Sequence, residues 1–135
     1  MIYGIGTDIA KVSRFEKWVR DDDLLSRFFA DAERCAASPR NIASASQHYA
    51  VRFAAKEAFA KALGTGFAGL SLKDMWVVND DSGNPSLAFG EDTRRILAER
   101  VGPCVVHLSL SHEKEFATAF VVIEKKGGGD VRECL

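Results

Sequence analysis

Apolar residues have helical spacing in the first half of the chain and alternate with polar residues in the second half. Ile2 to Ala10 form an apolar run interrupted by glycines, which predicts a buried strand with Asp8 near its end. From about Ile42 to Leu63 alanine predominates, with aromatic residues spaced through it, and Gly64 follows. This segment is predicted to form a long helix that ends at Gly64 and that neighbouring elements approach closely.

Two short helices are predicted between the first strand and the long helix. Ser13 is followed three residues later by Glu16, a capping-box pattern, so a helix is predicted to begin at Ser13. The run from Asp21 to Asp23 ends this helix or caps a second one. The apolar residues of the second helix are Leu24, Leu25, Phe28 and Phe29.

The second half of the chain is rich in hairpins. Met75 to Asn79 and Pro85 to Phe89 read as strands joined by a polar turn, and Glu91 to Val101 as a polar amphipathic helix. Cys104 to Ser111 and Phe116 to Ile123 are the last two predicted strands. The order of elements indicates an α+β fold in which a long central helix packs on a mostly antiparallel sheet.

Composition and charge narrow the class of protein. A chain of 135 residues that is 47% hydrophobic is expected to form one domain, at residues 1–124, followed by a mobile glycine-rich tail at residues 125–135. The net charge of -1 argues against a nucleic-acid partner, and no segment has transmembrane length or the features of a signal peptide, so we expect a cytoplasmic protein without membrane contact. The cysteines lack CxxC spacing, so we expect free thiols at Cys35, Cys104 and Cys134.

Two acidic residues are candidates for a metal site. Glu57 and Lys61 are one helical turn apart, which alone indicates an ordinary surface ion pair. Because the helix is alanine-rich and so expected to be enclosed, however, a charge on it needs a partner or a metal. Asp8, otherwise a turn former or helix cap, would join Glu57 as a second hard oxygen ligand, and magnesium favours one or two carboxylates completed by waters and phosphates.

Two further segments could contact phosphate. Gly64-Thr65-Gly66 leaves the long helix and is either a plain helix stop or a loop whose N–H groups approach an anion. His107, Ser109 and Ser111 share one strand face, and His112 opens the next turn. These side chains suit phosphate oxygens, although structural histidines are the ordinary interpretation.

Three segments, taken together, resemble the holo-acyl-carrier-protein synthase family of phosphopantetheinyl transferases. The similarity extends from Met1 to about Glu124. The segments are Ile5-Gly6-Thr7-Asp8-Ile9, Arg52-Phe53-Ala54-Ala55-Lys56-Glu57-Ala58 continuing to Lys61-Ala62-Leu63-Gly64-Thr65-Gly66, and Leu108-Ser109-Leu110-Ser111-His112.

The resemblance implies the 4'-phosphopantetheinyl transferase fold and a magnesium-dependent transfer of phosphopantetheine from coenzyme A to a serine of apo acyl carrier protein, for fatty acid biosynthesis. Asp8 and Glu57 would bind the metal, and Lys61 would contact the phosphates of coenzyme A and stabilise the departing adenosine 3',5'-bisphosphate. The other implied coenzyme contacts are Gly64, Thr65, Gly66, Gly83, Asn84, Pro85, Ser111 and His112. Asn84 stands where the family usually has lysine.

The resemblance also implies a homotrimer whose sites lie between subunits, so that Ser111 or His112 would come partly from the neighbouring chain. The first helix would receive the acidic carrier protein. The residues expected at that docking surface are Arg14, Lys17, Trp18, Arg27 and Phe28.

Two alternatives remain open at this point. One is a transferase that acts on peptide- or polyketide-synthase carriers. The other is a non-catalytic module that binds coenzyme A or a carrier without transfer. Glu57→Gln separates the second from an enzyme, because it would abolish turnover and leave simple partner binding intact.

Overall fold

A three-stranded antiparallel sheet and a long helix form the centre of the fold. The structure is a computed structural model that describes residues 1–35 and 41–127. The sheet has the strand order β1–β5–β4, and the helix, α4 (Ile42–Leu63), packs on one face of it. Its strands are β1 (Ile2–Lys11), β4 (Cys104–His112) and β5 (Phe116–Lys125).

A separate two-stranded hairpin and a helix lie in the second half of the chain. β2 (Met75–Asn79) pairs antiparallel with β3 (Pro85–Phe89), and α5 (Glu91–Arg100) follows. At the hairpin turn Gly83 has φ +85°, a conformation that favours glycine, and its N–H donates to the Asp80 carbonyl at 2.9 Å.

Short helical segments connect the larger elements. The sequence predicted a helix beginning at Ser13, but Ser13 lies in a 3-10 turn and no side-chain capping bond forms there, so the capping-box prediction is wrong. Asp21 does cap a helix, because its Oδ1 accepts from the Leu24 N–H at 3.1 Å. The segments are the 3-10 turns Val12–Phe15 and Leu72–Asp74, and the helices α1 (Glu16–Val19), α2 (Asp22–Phe28) and α3 (Asp31–Cys35).

The alanine content of α4 reflects close packing on more than one side, as the sequence predicted. Gly4 and Gly6 of β1 face this helix, and a Cβ at either position would overlap a carbonyl oxygen of α4, that of Ala62 or Ala58. The glycines therefore allow β1 to approach the helix backbone directly.

An aromatic cluster covers another side of α4. The Trp18 ring centroid lies 5.0 Å from that of Phe15, 5.3 Å from that of Phe28 and 5.5 Å from that of Phe53. Phe29 joins the cluster at 6.2 Å from Trp18. This packing fixes the N-terminal helices against the middle of α4.

Most predicted boundaries agree with the structure. α4, β2 and β3 begin and end where the sequence predicted, and the last strand continues to Lys125, two residues further than predicted. Lys125 is thus part of the sheet and not of the predicted tail, whose residues 128–135 lie outside the described part of the chain. Within that part, no helix is long and apolar enough to cross a membrane.

Candidate active site

Asp8 points from β1 toward α4. Residues on alternate positions of β1, Gly6 and Ala10, are buried against the helix, so Asp8 between them faces the same side. Its side chain is 10% exposed. The strand thereby places a carboxylate at the surface of α4, as the sequence hypothesis required.

Lys61 of α4 binds the end of β1. Its Nζ donates to the Thr7 carbonyl at 2.9 Å and to Asp8 Oδ1 at 3.2 Å. Within the described residues it forms no ion pair with Glu57, so the surface i,i+4 pair that the spacing alone indicated is not observed. The contact instead joins two of the three predicted catalytic residues across elements.

Glu57 lies next to Asp8, and this neighbouring acidic group raises the pKa of Glu57. Burial, a hydrogen bond with the Asp8 side chain and the negative charge of Asp8 together raise the pKa of Glu57 to about 7. Arg14 and Lys61 act in the opposite direction and lower the pKa. Two acidic groups from different elements are thus held together although their repulsion opposes it, which is typical of a functional site.

The Asp8–Glu57 pair has the donor set that suits magnesium. Both ligands are hard carboxylate oxygens, and a divalent cation would offset the repulsion that raises the Glu57 pKa. Among residues 1–35 and 41–127 there is no group of three or more His, Cys, Asp or Glu side chains that could hold a metal. The pair therefore fits an ion that takes most of its ligands from water and substrate phosphates, and not a closed structural site.

Arg14 connects the predicted docking surface with the acidic pair. Its guanidinium carbon lies 5.3 Å from the ring centroid of Phe53, which is one helical turn before Glu57. Its positive charge also lowers the Glu57 pKa, so the two residues interact electrostatically. A residue predicted to bind the carrier is therefore adjacent to the predicted metal site.

The glycine loop continues the same face of α4. Glu57, Lys61 and Gly64 are spaced four and three residues apart, so they follow one stripe that is about 10 Å long. Gly64 has φ +88° and ends the helix, and its N–H donates to Ala60 and Lys61 carbonyls at 3.1 Å. The Thr65 hydroxyl donates to the Gly66 carbonyl at 2.7 Å.

Ser111 lies on the opposite face of the sheet from Asp8. The pairing places Ser111 beside Thr118, which pairs with the exposed Ile9, whereas Asp8 faces α4. One chain therefore does not bring Ser111 to the acidic pair. His112 is exposed at the end of β4, and His107 of the outer face binds Glu124, with Nε2 2.9 Å from Oε1.

The Gly83-Asn84-Pro85 segment forms an exposed turn at the tip of the β2–β3 hairpin. Asp80 organises it, because its Oδ1 accepts from the backbone N–H groups of Ser82 at 2.8 Å and Asn84 at 2.9 Å. The Asn84 amide also donates to Asp80 Oδ2 at 3.3 Å. These bonds lower the pKa of the Asp80 carboxyl.

The predicted docking residues divide into two kinds. Lys17 and Arg27 are exposed charges, whereas Trp18 and Phe28 are half-buried members of the aromatic cluster. The two rings thus pack on the protein side of the docking surface, and the two cations on its solvent side are accessible to a partner protein.

Sequence reasoning did not identify one buried ion pair beside the site. Lys56, the residue before Glu57, is fully buried, and its Nζ lies 2.7 Å from Oε1 of Glu33. Burial lowers the pKa of Lys56, and the Glu33 carboxylate raises it. The alanine-rich surroundings predicted that an enclosed charge would need a partner, but Glu33 lies 23 residues earlier in a helix too short to predict.

Comparisons with known proteins identify the family of this chain. A family model of the 4'-phosphopantetheinyl transferase superfamily matches residues 4–121. The holo-[acyl-carrier-protein] synthase of Treponema denticola is 52% identical over 125 residues, which are 92% of this chain and 99% of that protein. The corresponding protein of Geobacter sp. strain M21 is 44% identical, over 93% of this chain and all of that protein.

Solved structures give the same result. The holo-(acyl-carrier-protein) synthase of Bacillus anthracis, in complex with CoA (3',5'-ADP), has a TM-score of 0.77 and 40% identity over 93% of this chain and 99% of that chain. The Helicobacter pylori synthase in complex with coenzyme A has a TM-score of 0.73 and 28% identity, over 89% and 99% of the two chains.

The fold and the matched family define a transferase of the 4'-phosphopantetheinyl class. The chain belongs to the 4'-phosphopantetheinyl transferase superfamily and, within it, to the holo-[acyl-carrier-protein] synthases. The resemblance and the fold expected from the sequence are thereby confirmed.

Proposed function

We propose that this enzyme transfers 4'-phosphopantetheine from coenzyme A to a serine of apo acyl carrier protein, with magnesium as cofactor. Adenosine 3',5'-bisphosphate is the second product, and the reaction serves fatty acid biosynthesis in the cytoplasm. The observation that carries the proposal is the meeting of Asp8 from β1 with Glu57 and Lys61 from α4, which brings together two carboxylates and one cation.

The reaction replaces the phosphoanhydride bond of coenzyme A with a phosphoester bond to the serine oxygen, and the proton of the serine hydroxyl is released. The serine hydroxyl oxygen attacks the phosphorus attached to pantetheine, and the bond from that phosphorus to the bridging oxygen of the pyrophosphate breaks. Asp8 and Glu57 would hold magnesium, which neutralises pyrophosphate charge when bound. Lys61 lies beside Asp8 and offers an ammonium group to the charge that develops on the leaving phosphate.

The phosphates of coenzyme A would follow the stripe on α4 from Glu57 toward the glycine loop. Gly64 to Gly66 lie at the end of this stripe. The Gly64 N–H is bonded to helix carbonyls, so the backbone N–H groups of Thr65 and Gly66 would contact the anion. The hairpin turn at Gly83-Asn84-Pro85 would contact the adenine. Asn84 supplies an amide there in place of a charge, so the contact with a 3'-phosphate is weaker than a lysine would give.

The carrier protein would bind over the N-terminal helices. Lys17 and Arg27 present exposed positive charges, which complement an acidic carrier, and Arg14 lies between this surface and Glu57. The Trp18 and Phe28 rings support these side chains.

The enzyme would act as a homotrimer with sites between subunits. The sheet face opposite α4 exposes apolar side chains, with Ile5 70%, Ile9 63% and Phe120 59% exposed, and such a surface is typical of an interface. Ser111 belongs to this face and lies away from the acidic pair of its own chain. In the trimer, a neighbouring chain would bring its own Ser111 to that acidic pair.

Release of adenosine 3',5'-bisphosphate tests the proposed reaction. The enzyme would be incubated with coenzyme A, apo acyl carrier protein and Mg²⁺, and the nucleotide measured by liquid chromatography. We expect one nucleotide per carrier modified, and none when Mg²⁺ is chelated or the carrier serine is replaced by alanine. Nucleotide formed without carrier would contradict the transfer and indicate hydrolysis of coenzyme A.

A further inference from the structure

The buried Lys56–Glu33 pair connects α4 to several other elements at one point. The Lys56 ammonium group contacts the Phe28 carbonyl at 2.9 Å, the Leu72 carbonyl at 2.6 Å and the Met75 carbonyl at 2.8 Å, in addition to Glu33. Phe28 is the last residue of α2, and Leu72 and Met75 flank the turn that leads into β2. One side chain therefore joins α4 to the docking helix and to the start of the hairpin.

Glu33 extends the same network. Its Oε1 also accepts from the Ala30 N–H at 3.1 Å, and its Oε2 accepts from the Val77 N–H at 3.4 Å. Glu33 thus attaches both α3 and β2 to the ammonium group. All of the acceptors that Lys56 uses are oxygens with fixed positions on the backbone or on a buried side chain, so its position is tightly determined.

Helix α2 is attached to this network at its C-terminal end. It has seven residues, and Leu25 is its one fully buried side chain. Phe28 of this helix packs against Trp18 and Phe53, and the bond from Lys56 to the final carbonyl adds a directed contact at the same end, which carries Arg27.

We propose that Lys56 and Glu33 form a positioning pair that sets the carrier-docking helix α2 relative to the metal ligands on α4. The inference rests on the proposed function, because it assumes that the carrier binds over α2. Lys56 and Glu57 are consecutive residues of the rigid helix α4. The Lys56–Glu33 pair therefore sets the position of the docking surface relative to Glu57. Both side chains of the pair are buried, so they would act through other residues and not by contact with substrate.

A purely stabilising role would not require charges. A buried ion pair is often no more stable than apolar side chains of similar volume, because desolvation opposes the attraction. What apolar side chains cannot reproduce are directed bonds to three backbone carbonyls of separate elements. Removing both charges should therefore alter geometry in a folded protein, and the effect should fall on carrier binding.

The test uses a double variant of the full chain that combines Lys56→Met and Glu33→Gln. This variant is compared with the unchanged enzyme. We expect a folded protein by circular dichroism whose KM for apo acyl carrier protein rises about tenfold, whereas its KM for coenzyme A changes less than about twofold. Leu97→Ala is the matched control, since it removes a buried side chain from α5, away from α2. It should lower thermal stability and leave both KM values unchanged.

Two further measurements keep each outcome decisive. If the double variant does not fold, Glu33→Asp keeps both charges, shortens the reach to Lys56, and should raise the carrier KM in the same direction. Calorimetric binding of apo carrier needs no turnover, so it separates the two proposals. Folded variants with unchanged carrier affinity would overturn the positioning pair alone, and an unchanged enzyme that binds carrier without transfer would contradict the proposed function alone.

Discussion

Lys61 Nζ lies 3.2 Å from Asp8 Oδ1, although the two residues are 53 positions apart and belong to a helix and a strand. Glu57, one turn earlier on the helix, has no such cation within ion-pair distance in the described part of the chain, and its pKa is raised to about 7. Asp8 is thus paired with a cation, whereas Glu57 lies beside the Asp8 carboxylate, a group of like charge. Such a site is prepared for a divalent cation.

Glu57→Gln should abolish transfer and leave the fold intact. The amide has nearly the same shape, but it lacks the charge that would hold magnesium, so we expect a loss of turnover of about 100-fold or more. In the absence of divalent ions the variant should be at least as stable as the unchanged enzyme, because the repulsion from Asp8 is gone. Steady-state kinetics and thermal unfolding in chelator measure the two effects.

Glu99→Gln provides the matched control. Glu99 is an exposed glutamate of α5, so the same chemical change should alter neither turnover nor stability. A Glu57→Gln enzyme that keeps its turnover would show that this carboxylate is not a metal ligand.

Gly6→Ala should separate β1 from α4. A Cβ at this position would overlap the Ala58 carbonyl oxygen and lie 2.7 Å from the Ala62 nitrogen, and neither backbone atom can move independently. We expect a loss of about 2–3 kcal/mol in the free energy of unfolding. Turnover of the remaining folded enzyme should also fall, because Asp8, two residues along the strand, moves with it. Denaturant unfolding and kinetics below the transition check both results.

Gly69→Ala is the control that separates the steric overlap at Gly6 from the backbone strain of placing alanine at a positive φ. Gly69 has φ +78° with open space around its Cβ position, so the substitution should cost about 1 kcal/mol and leave turnover unchanged. Equal effects of the two substitutions would contradict the proposed close approach of β1 to α4.

His48 should make the protein less stable in mild acid. Burial mainly, and Arg52 in addition, lower the pKa of His48 to about 4, while its Nε2 lies 2.6 Å from the Glu33 carbonyl. Between about pH 4 and the usual histidine pKa of about 6.5, the unfolded chain binds more protons than the folded one. Stability therefore falls as pH falls through this window. The slope stays below about 1.4 kcal/mol per pH unit, because one histidine makes the two states differ by at most one bound proton.

His48→Gln isolates this effect. The amide can still donate to the Glu33 carbonyl but does not titrate, so the stability difference between the two proteins should change with pH from 4 to 6.5 and be constant above it. Glu57 titrates in an overlapping range with the opposite sign and cancels in the comparison. A difference independent of pH would contradict the burial of a neutral ring.

Phe120→Glu should disrupt the proposed trimer. Phe120 is 59% exposed in the centre of the outer sheet face, where a carboxylate is compatible with a solvated monomer and not with a packed interface. We expect a smaller species in analytical ultracentrifugation and a loss of turnover of about 100-fold, with unchanged circular dichroism. An unchanged sedimentation coefficient with full activity would contradict an interface at this face.

The regular elements could be predicted because their signals are local. Gly64 marks the C-terminal end of α4, and Gly83 lies in the turn that joins two alternating strands. The failed capping box at Ser13 shows the limit of such signals. There the chain enters a 3-10 turn, so the Ser13 side chain does not sit at a helix N-cap.

The site could be predicted in part. The proximity of Asp8 and Glu57 could be predicted, but the partner of Lys61 could not, because helical spacing favours a pair with Glu57 over a contact 53 residues away. Glu33 was missed for the same reason, since only the tertiary fold brings it to Lys56. Ser111 was expected to come partly from a neighbouring chain, and the strand register places it on the outer face, away from the acidic pair of its own chain.

The most direct measurement is the intact mass of apo acyl carrier protein after incubation with this enzyme, coenzyme A and Mg²⁺, with and without a chelator. We predict that the carrier gains the mass of one phosphopantetheine, and that both chelator and Glu57→Gln prevent the gain. An unmodified carrier in the presence of Mg²⁺, or full modification in chelator, would contradict a metal site formed by Asp8 and Glu57.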